Sequence, residues 1–215
     1  MAIEYKSPTE KIRNISAPNL PVAPAAYDQR YQDQFANVLR LFFNSVTNNV
    51  NAPKPYGTFY DTSTQTNPVA NSVNLMKVNS TYNSDVGQFS VSRDTTKITV
   101  SETGIYNIQF SAQLDKTGGG ASAVYIWLRR NGQNLSNSAT KVVIDGPNSE
   151  VVAAWNWMIS LVGGEYFEIA WESSDTNVIL AAFAASGNIP EIPSVIVTVT
   201  WVSNLATPGS IIRTT

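Results

Sequence analysis

A chain of 215 residues has room for one core of ordinary size plus an appendage, and hardly enough for two full domains. Only 14% of the residues are charged and the net charge is −2, so no long-range field gathers nucleic acid or anionic lipid, and neither is expected as a partner. The absence of cysteine and histidine excludes disulfides, thiolate and imidazole metal sites, and Ser-His-Asp or Cys-His catalysis.

The opening segment, MAIEYKSPTEK, lacks the basic start and apolar core of a secretory signal. No later segment has the length to cross a bilayer, so synthesis in the cytoplasm is expected. Residues 1–26 are polar and carry Pro8, Pro18, Pro21 and Pro24, which fix φ and forbid helix or central-strand pairing. They read as an extended anchoring arm. From Tyr27 to about Asn49 the positions Tyr27, Tyr31, Phe35, Val38, Phe42 and Val46 step by four or three and share one helical face. Leu39, Leu41 and Phe43 broaden that face beyond a coiled-coil seam, which predicts a largely buried anchoring helix. Pro53 and Pro55 then form a stiff hinge. The division is arm 1–26, helix and hinge 27–55, sandwich 56–203 and tail 204–215.

After Tyr56 the period changes to two, with β-branched and aromatic runs separated by Gly, Asn, Asp and Pro. Strands are expected at 57–61, 73–79, 86–91, 97–100, 104–114, 121–130, 139–144, 150–161, 166–172, 177–185 and 194–202. Asn131-Gly132 signals a tight turn, and Gly118 to Gly120 and Gly163-Gly164 mark further reversals. The fold class is all-β, an antiparallel jelly-roll sandwich of about eight to ten strands behind one short helix.

Most strands bury one side. In 166–172, Phe167, Ile169 and Trp171 face inward while Tyr166, Glu168 and Glu172 face outward. Strand 150–161 differs: Val151, Ala153, Trp155, Trp157, Ile159 and Leu161 line one face, and Val152, Ala154 and Met158 line most of the other. In 121–130, Tyr125 and Trp127 oppose Val124, Ile126 and Leu128, and 194–202 ends on Trp201. A two-layer sandwich gives each strand one core face, so the second must be covered by the helix, the arm or another subunit. A Trp of roughly 200 Å² left in water forgoes a few kcal/mol.

The remaining chemistry is sparse. Glu165, Glu168, Glu172 and Asp175 form the nearest carboxylate cluster for glycoside hydrolysis, but solvated strand and loop positions account for them better. Asp145 with Glu150, or Asp94 with Glu102, lack calcium-loop spacing, so no metal or cofactor is expected. Tyr82, Tyr125 and Trp171 offer rings on which a glycan could stack, against the commoner use of such rings in a core or interface.

Residues 98–110, ITVSETGIYNIQF, followed by VYIWLRRNGQ at 124–133, the segment 150–172 and SVIVTVTWV at 194–202, resemble the tumour-necrosis-factor-like and complement-globular-head superfamily over about 57–203. The resemblance implies a ten-stranded jelly roll. It also implies a homotrimer with strand 150–161 near the threefold axis, which makes Trp155 and Trp157 interface candidates; the two-sided strands add Ile159, Tyr125, Trp127 and Trp201. No collagen-like stalk, family cysteine or receptor-binding loop is present, so a signalling role is not implied. Residues 17–44, APNLPVAPAAYDQRYQDQFANVLRLFFN, are similar to leaders on small virion proteins of tailed bacteriophages.

Together the two resemblances imply a non-enzymatic virion component: a capsid-surface decoration or cement protein, or a head fibre, bound to other virion proteins through residues 1–50. The alternative is a glycan-binding tail fibre or receptor-binding module.

Overall fold

Asp28 sets the start of the helix. Its Oδ1 accepts the backbone N–H of Arg30 at 2.8 Å and of Tyr31 at 3.4 Å, filling donors that the first turn leaves open, so α1 runs Gln29–Asn51. Tyr27 therefore stands before the cap, exposed, and not on the helical face expected for it. The computed structural model describes residues 17–51, 54–84 and 91–204. Residues 1–16 of the arm, most of the expected strand 86–91 and nearly all of the tail lie outside them.

The chain divides into two units, Met1–Pro53 and Lys54–Thr215. In the first, residues 17–28 form neither helix nor strand, and Leu20 and Val22 are exposed. Tyr31, Phe35, Val38, Leu39, Phe42 and Val46 of α1 are half-buried, while Leu41 and Phe43 are each 59% exposed. A largely buried helix was the expectation; in the single chain no described residue of α1 is buried. An amphipathic stripe is sheltered only where a second element packs on it, and here the ring contacts are its own: Tyr31 stacks on Phe35 at 6.1 Å and Phe42 tilts against Phe43 at 5.7 Å.

The second unit is all-β. Its strands are β1 (Tyr56–Asp61), β2 (Gln65–Thr66), β3 (Asn74–Leu75), β4 (Ser80–Ser84), β5 (Val91–Asp94), β6 (Lys97–Val100), β7 (Gly104–Lys116), β8 (Ser122–Arg130), β9 (Gln133–Asn134), β10 (Thr140–Ile144), β11 (Ser149–Leu161), β12 (Tyr166–Ser173), β13 (Val178–Leu180) and β14 (Val195–Ser203). Two antiparallel sheets form a jelly-roll sandwich. One runs β4–β1–β14–β7–β11, with β13 continuing the line of β14 along β7 and β2 pairing β13. The other runs β5–β6–β12–β8–β10, with β3 beside β12 and β9 beside β8.

Period-two alternation places the core between the sheets. Phe59, Tyr106, Ile108, Leu114 and Val199 of the first sheet meet Val124, Ile126, Leu128, Phe167 and Trp171 of the second, all buried. Trp171 is thus unavailable to a sugar ring. Asn131 (φ 49°) and Gly132 (φ 78°) both occupy the left-handed region, and the turn they form joins Arg130 directly to Gln133, as the Asn-Gly pair predicts.

The expected strand 73–79 shortens to β3: Met76 N–H still reaches β12, donating to Ile169 O at 2.8 Å, but Val78 N–H donates to Thr95 O at 2.7 Å, in the turn between β5 and β6. Strand 177–185 shortens to β13, after which isolated bridges join Phe183 to Ile192 and Ser186 to Ile189.

Candidate functional site

The strand that the sequence marks as two-sided is an edge. Among the described residues β11 pairs with β7 alone, in register over its whole length from Ser149↔Lys116 to Leu161↔Gly104. Its other flank presents a row of backbone donors and acceptors across thirteen residues. Such edges are usually blunted by charge, proline or shortness, yet Val151 to Leu161 contains no charged residue and no proline.

The inward face of β11 carries the two tryptophans. Phe110, directly opposite Trp155 on β7, meets that indole edge-on at 4.6 Å and 86°, and stacks on Trp157 at 5.0 Å and 11°. The indoles contact each other at 5.7 Å, also edge-on. Trp157 Nε1 donates to Ser138 O at 3.0 Å, whereas the buried Nε1 of Trp155 has no acceptor. Phe110 is buried; Trp155, Trp157 and Ile159 are half-buried, at the open side of the sandwich. They are neither sealed inside the single chain nor fully in water.

The outward face of β11 is wetter. Val152 is 57% and Met158 59% exposed. Register extends this face across the sheet: Met158, Asn107, Thr200 and Tyr56 form one row, Asn156, Gln109, Thr198 and Thr58 the next, and Ala154, Ser111, Ile196 and Tyr60 a third. None of these residues is charged. Four of the polar ones pair within the sheet, Asn156 Nδ2 donating to Asn107 Oδ1 at 3.0 Å and the hydroxyls of Thr58 and Thr198 meeting at 3.3 Å. Glu150 and Asp115, paired across the ladder, bring the first charges, at one end of the face. An uncharged β surface, part of whose polar groups are already paired, loses less on leaving water than a charged one.

The other interface candidates lie elsewhere. Tyr125 is 43% exposed and Trp127 half-buried, side by side on the outward face of β8; Trp127 Nε1 donates to Asn134 Oδ1 at 2.9 Å, and Lys141 and Glu172 stand opposite Tyr125. Trp201 is a correction. At 8% exposure it belongs to its own core, under the ammonium of Lys54, because β14 turns its odd-numbered residues inward. The interface list missed Phe110 and Ile196: cross-strand register, which one strand's pattern does not contain, places Phe110 opposite Trp155 on the inward face and puts Ile196 in the outward row of Ala154 and Ser111.

Three of the four carboxylates stand in ion pairs. Glu168, expected in water, is only 4% exposed, held by Arg129 at 3.6 Å and by the hydroxyl of Thr96 at 3.2 Å. Asp175 joins the buried ammonium of Lys116 at 3.0 Å and the hydroxyl of Ser122 at 2.8 Å, while Lys116 also donates to Ser122 at 2.6 Å. The Asn177 backbone N–H, and after it Lys116, hold the Asp175 carboxyl well below the usual carboxylate range. Among the described residues no group of three or more His, Cys, Asp or Glu is placed to hold a metal ion, and no helix is long and apolar enough to cross a membrane.

No family model and no curated protein matches the chain. Among solved structures it is similar to the globular domain of zebrafish complement 1qA protein, with 14% identity, a TM-score of 0.42, and coverage of 71% of this chain and 100% of that one. It is also similar to the Eiger TNF of S. frugiperda, with 8% identity, a TM-score of 0.44, and coverage of 73% and 98%. At these identities the likeness concerns the fold alone.

Proposed function

We propose that this chain is a non-enzymatic structural protein of a bacteriophage particle, a homotrimer that decorates or cements the capsid surface or forms a head fibre. The observation that carries self-association is β11: a thirteen-residue edge strand without charge along 151–161, continuous with an uncharged sheet face on which Met158 and Val152 stand in water. Three copies related by a closed rotation would shelter edge and face together, and closure ends the assembly at a defined size. The virion setting rests on the leader at 17–44, and the exposed Leu20 and Val22 of the arm suit contact with another virion protein.

The test has two parts. Light scattering on the purified chain gives the number of copies, and labelled antibody on purified phage, viewed by electron microscopy, locates them. A monomer defeats the assembly reading; particles without the protein defeat the virion reading.

A second reading has its own observation. Tyr125, exposed, and Trp127, half-buried, stand side by side on β8 with Lys141 and Glu172 opposite Tyr125, an arrangement suited to stacking a sugar and bonding its hydroxyls. Binding on a bacterial glycan array, lost in Tyr125→Ala, supports a receptor-binding module; silence across the array removes it.

A further inference from the structure

The apolar stripe of α1 is in surplus: within the single chain none of its described residues is buried. Its spacing says what covers it. Tyr31, Phe35, Val38 and Phe42 are separated by four, three and four residues, the d-a-d-a order of a heptad seam, and Ser45 occupies the next d position. Leu39 and Leu41 fall on the two flanks of that seam, at e and g. The three charged residues of the helix, Arg30, Asp33 and Arg40, fall at c and f, outside it.

We infer that α1 packs against the same helix of two further copies as a parallel three-helix bundle, with Val38 and Ser45 in layers facing the common axis. A seam of this spacing is its own complement, and its lack of charge means that parallel copies meet without repulsion while no charged foreign partner is specified. Apolar flanking positions widen the contact beyond a two-stranded seam, which suits three helices. Two heptads alone associate weakly. Here, however, only residues 52–55 separate α1 from β1, so copies joined through their sheets hold their helices at an effective concentration on the order of millimolar. The inference thus rests on the trimer proposed above and adds a second contact to it.

The chain contains no cysteine, so one introduced thiol reports without background. Val38→Cys, Ser45→Cys and Arg40→Cys are made in the full-length protein, mildly oxidised and run on non-reducing gels, with light scattering on each. Val38→Cys and Ser45→Cys should give covalent dimers, two of the three thiols in each layer pairing. Arg40→Cys, on the far side, should give at least tenfold less. A particle of three copies in which Val38→Cys stays uncrosslinked overturns the bundle alone and points to a foreign partner on α1. Crosslinking at 38 but not 45 overturns the parallel order. A monomeric wild-type chain overturns both the bundle and the trimer beneath it.

Discussion

Phe110 lies parallel to Trp157 at 5.0 Å and thereby supports the indole that borders the open edge of the sandwich. Since Phe110 is buried and Trp157 is only half-buried, truncation should affect them unequally. Phe110→Ala should lose about 3–5 kcal/mol and Trp157→Ala about 2–4 kcal/mol, the latter including its bond to Ser138 O. Urea unfolding in a monomeric background separates these values from assembly.

Met158→Glu supplies that background. Met158 projects from the outward face of β11 at 59% exposure, so the change should shift the stability of one protomer by no more than about 0.5 kcal/mol. In the trimer the same change puts an unpaired carboxylate into each interface, and the particle should dissociate. Light scattering and urea curves on the same sample check both halves.

Asp175 gives a pH signature. Its carboxyl is depressed in the fold, so the stability it contributes is fully present above the unfolded value of about 4 and is lost as pH falls through the folded one. Asp175→Asn leaves the Lys116 ammonium buried without its counter-charge and should cost about 3 kcal/mol at pH 7. The gap between wild type and variant should narrow steadily below about pH 4, as read by denaturation at a series of pH values.

Gly104→Ala tests the placement of Trp201. A Cβ at Gly104 would collide with Trp201 Nε1 and come within 2.8 Å of Ser203 O. Overpacking of this kind should destabilise by about 1–3 kcal/mol. A neutral result in thermal unfolding would move Trp201 out of the core and return it to the interface.

Legibility followed the period-two pattern. Gly104–Lys116, Ser122–Arg130 and Ser149–Leu161 are long β-branched and aromatic runs bounded by turn residues, and the sequence located each to within two residues. β4, with the sequence Ser-Thr-Tyr-Asn-Ser, has no apolar alternation and pairs β1 through a register shift at Thr58/Phe59, so nothing local announced it. Glu168 looked solvated because alternation distinguishes only two sides of a strand; it carries no sign that Arg129 and Thr96 would close over the outer one. Trp155 and Trp157 stood out as an apolar run on a strand with two apolar faces. That the strand is an edge, and that Met158 belongs to a face spanning β7, β14 and β1, became visible only with the pairing of strands distant in sequence.

The most direct measurement is the solution mass of the intact protein by light scattering across a dilution series. The account predicts three chain masses, unchanged well into the nanomolar range and reduced to one by Met158→Glu. A single chain mass at micromolar concentration, with β11 and its neighbours left open to water, would contradict it.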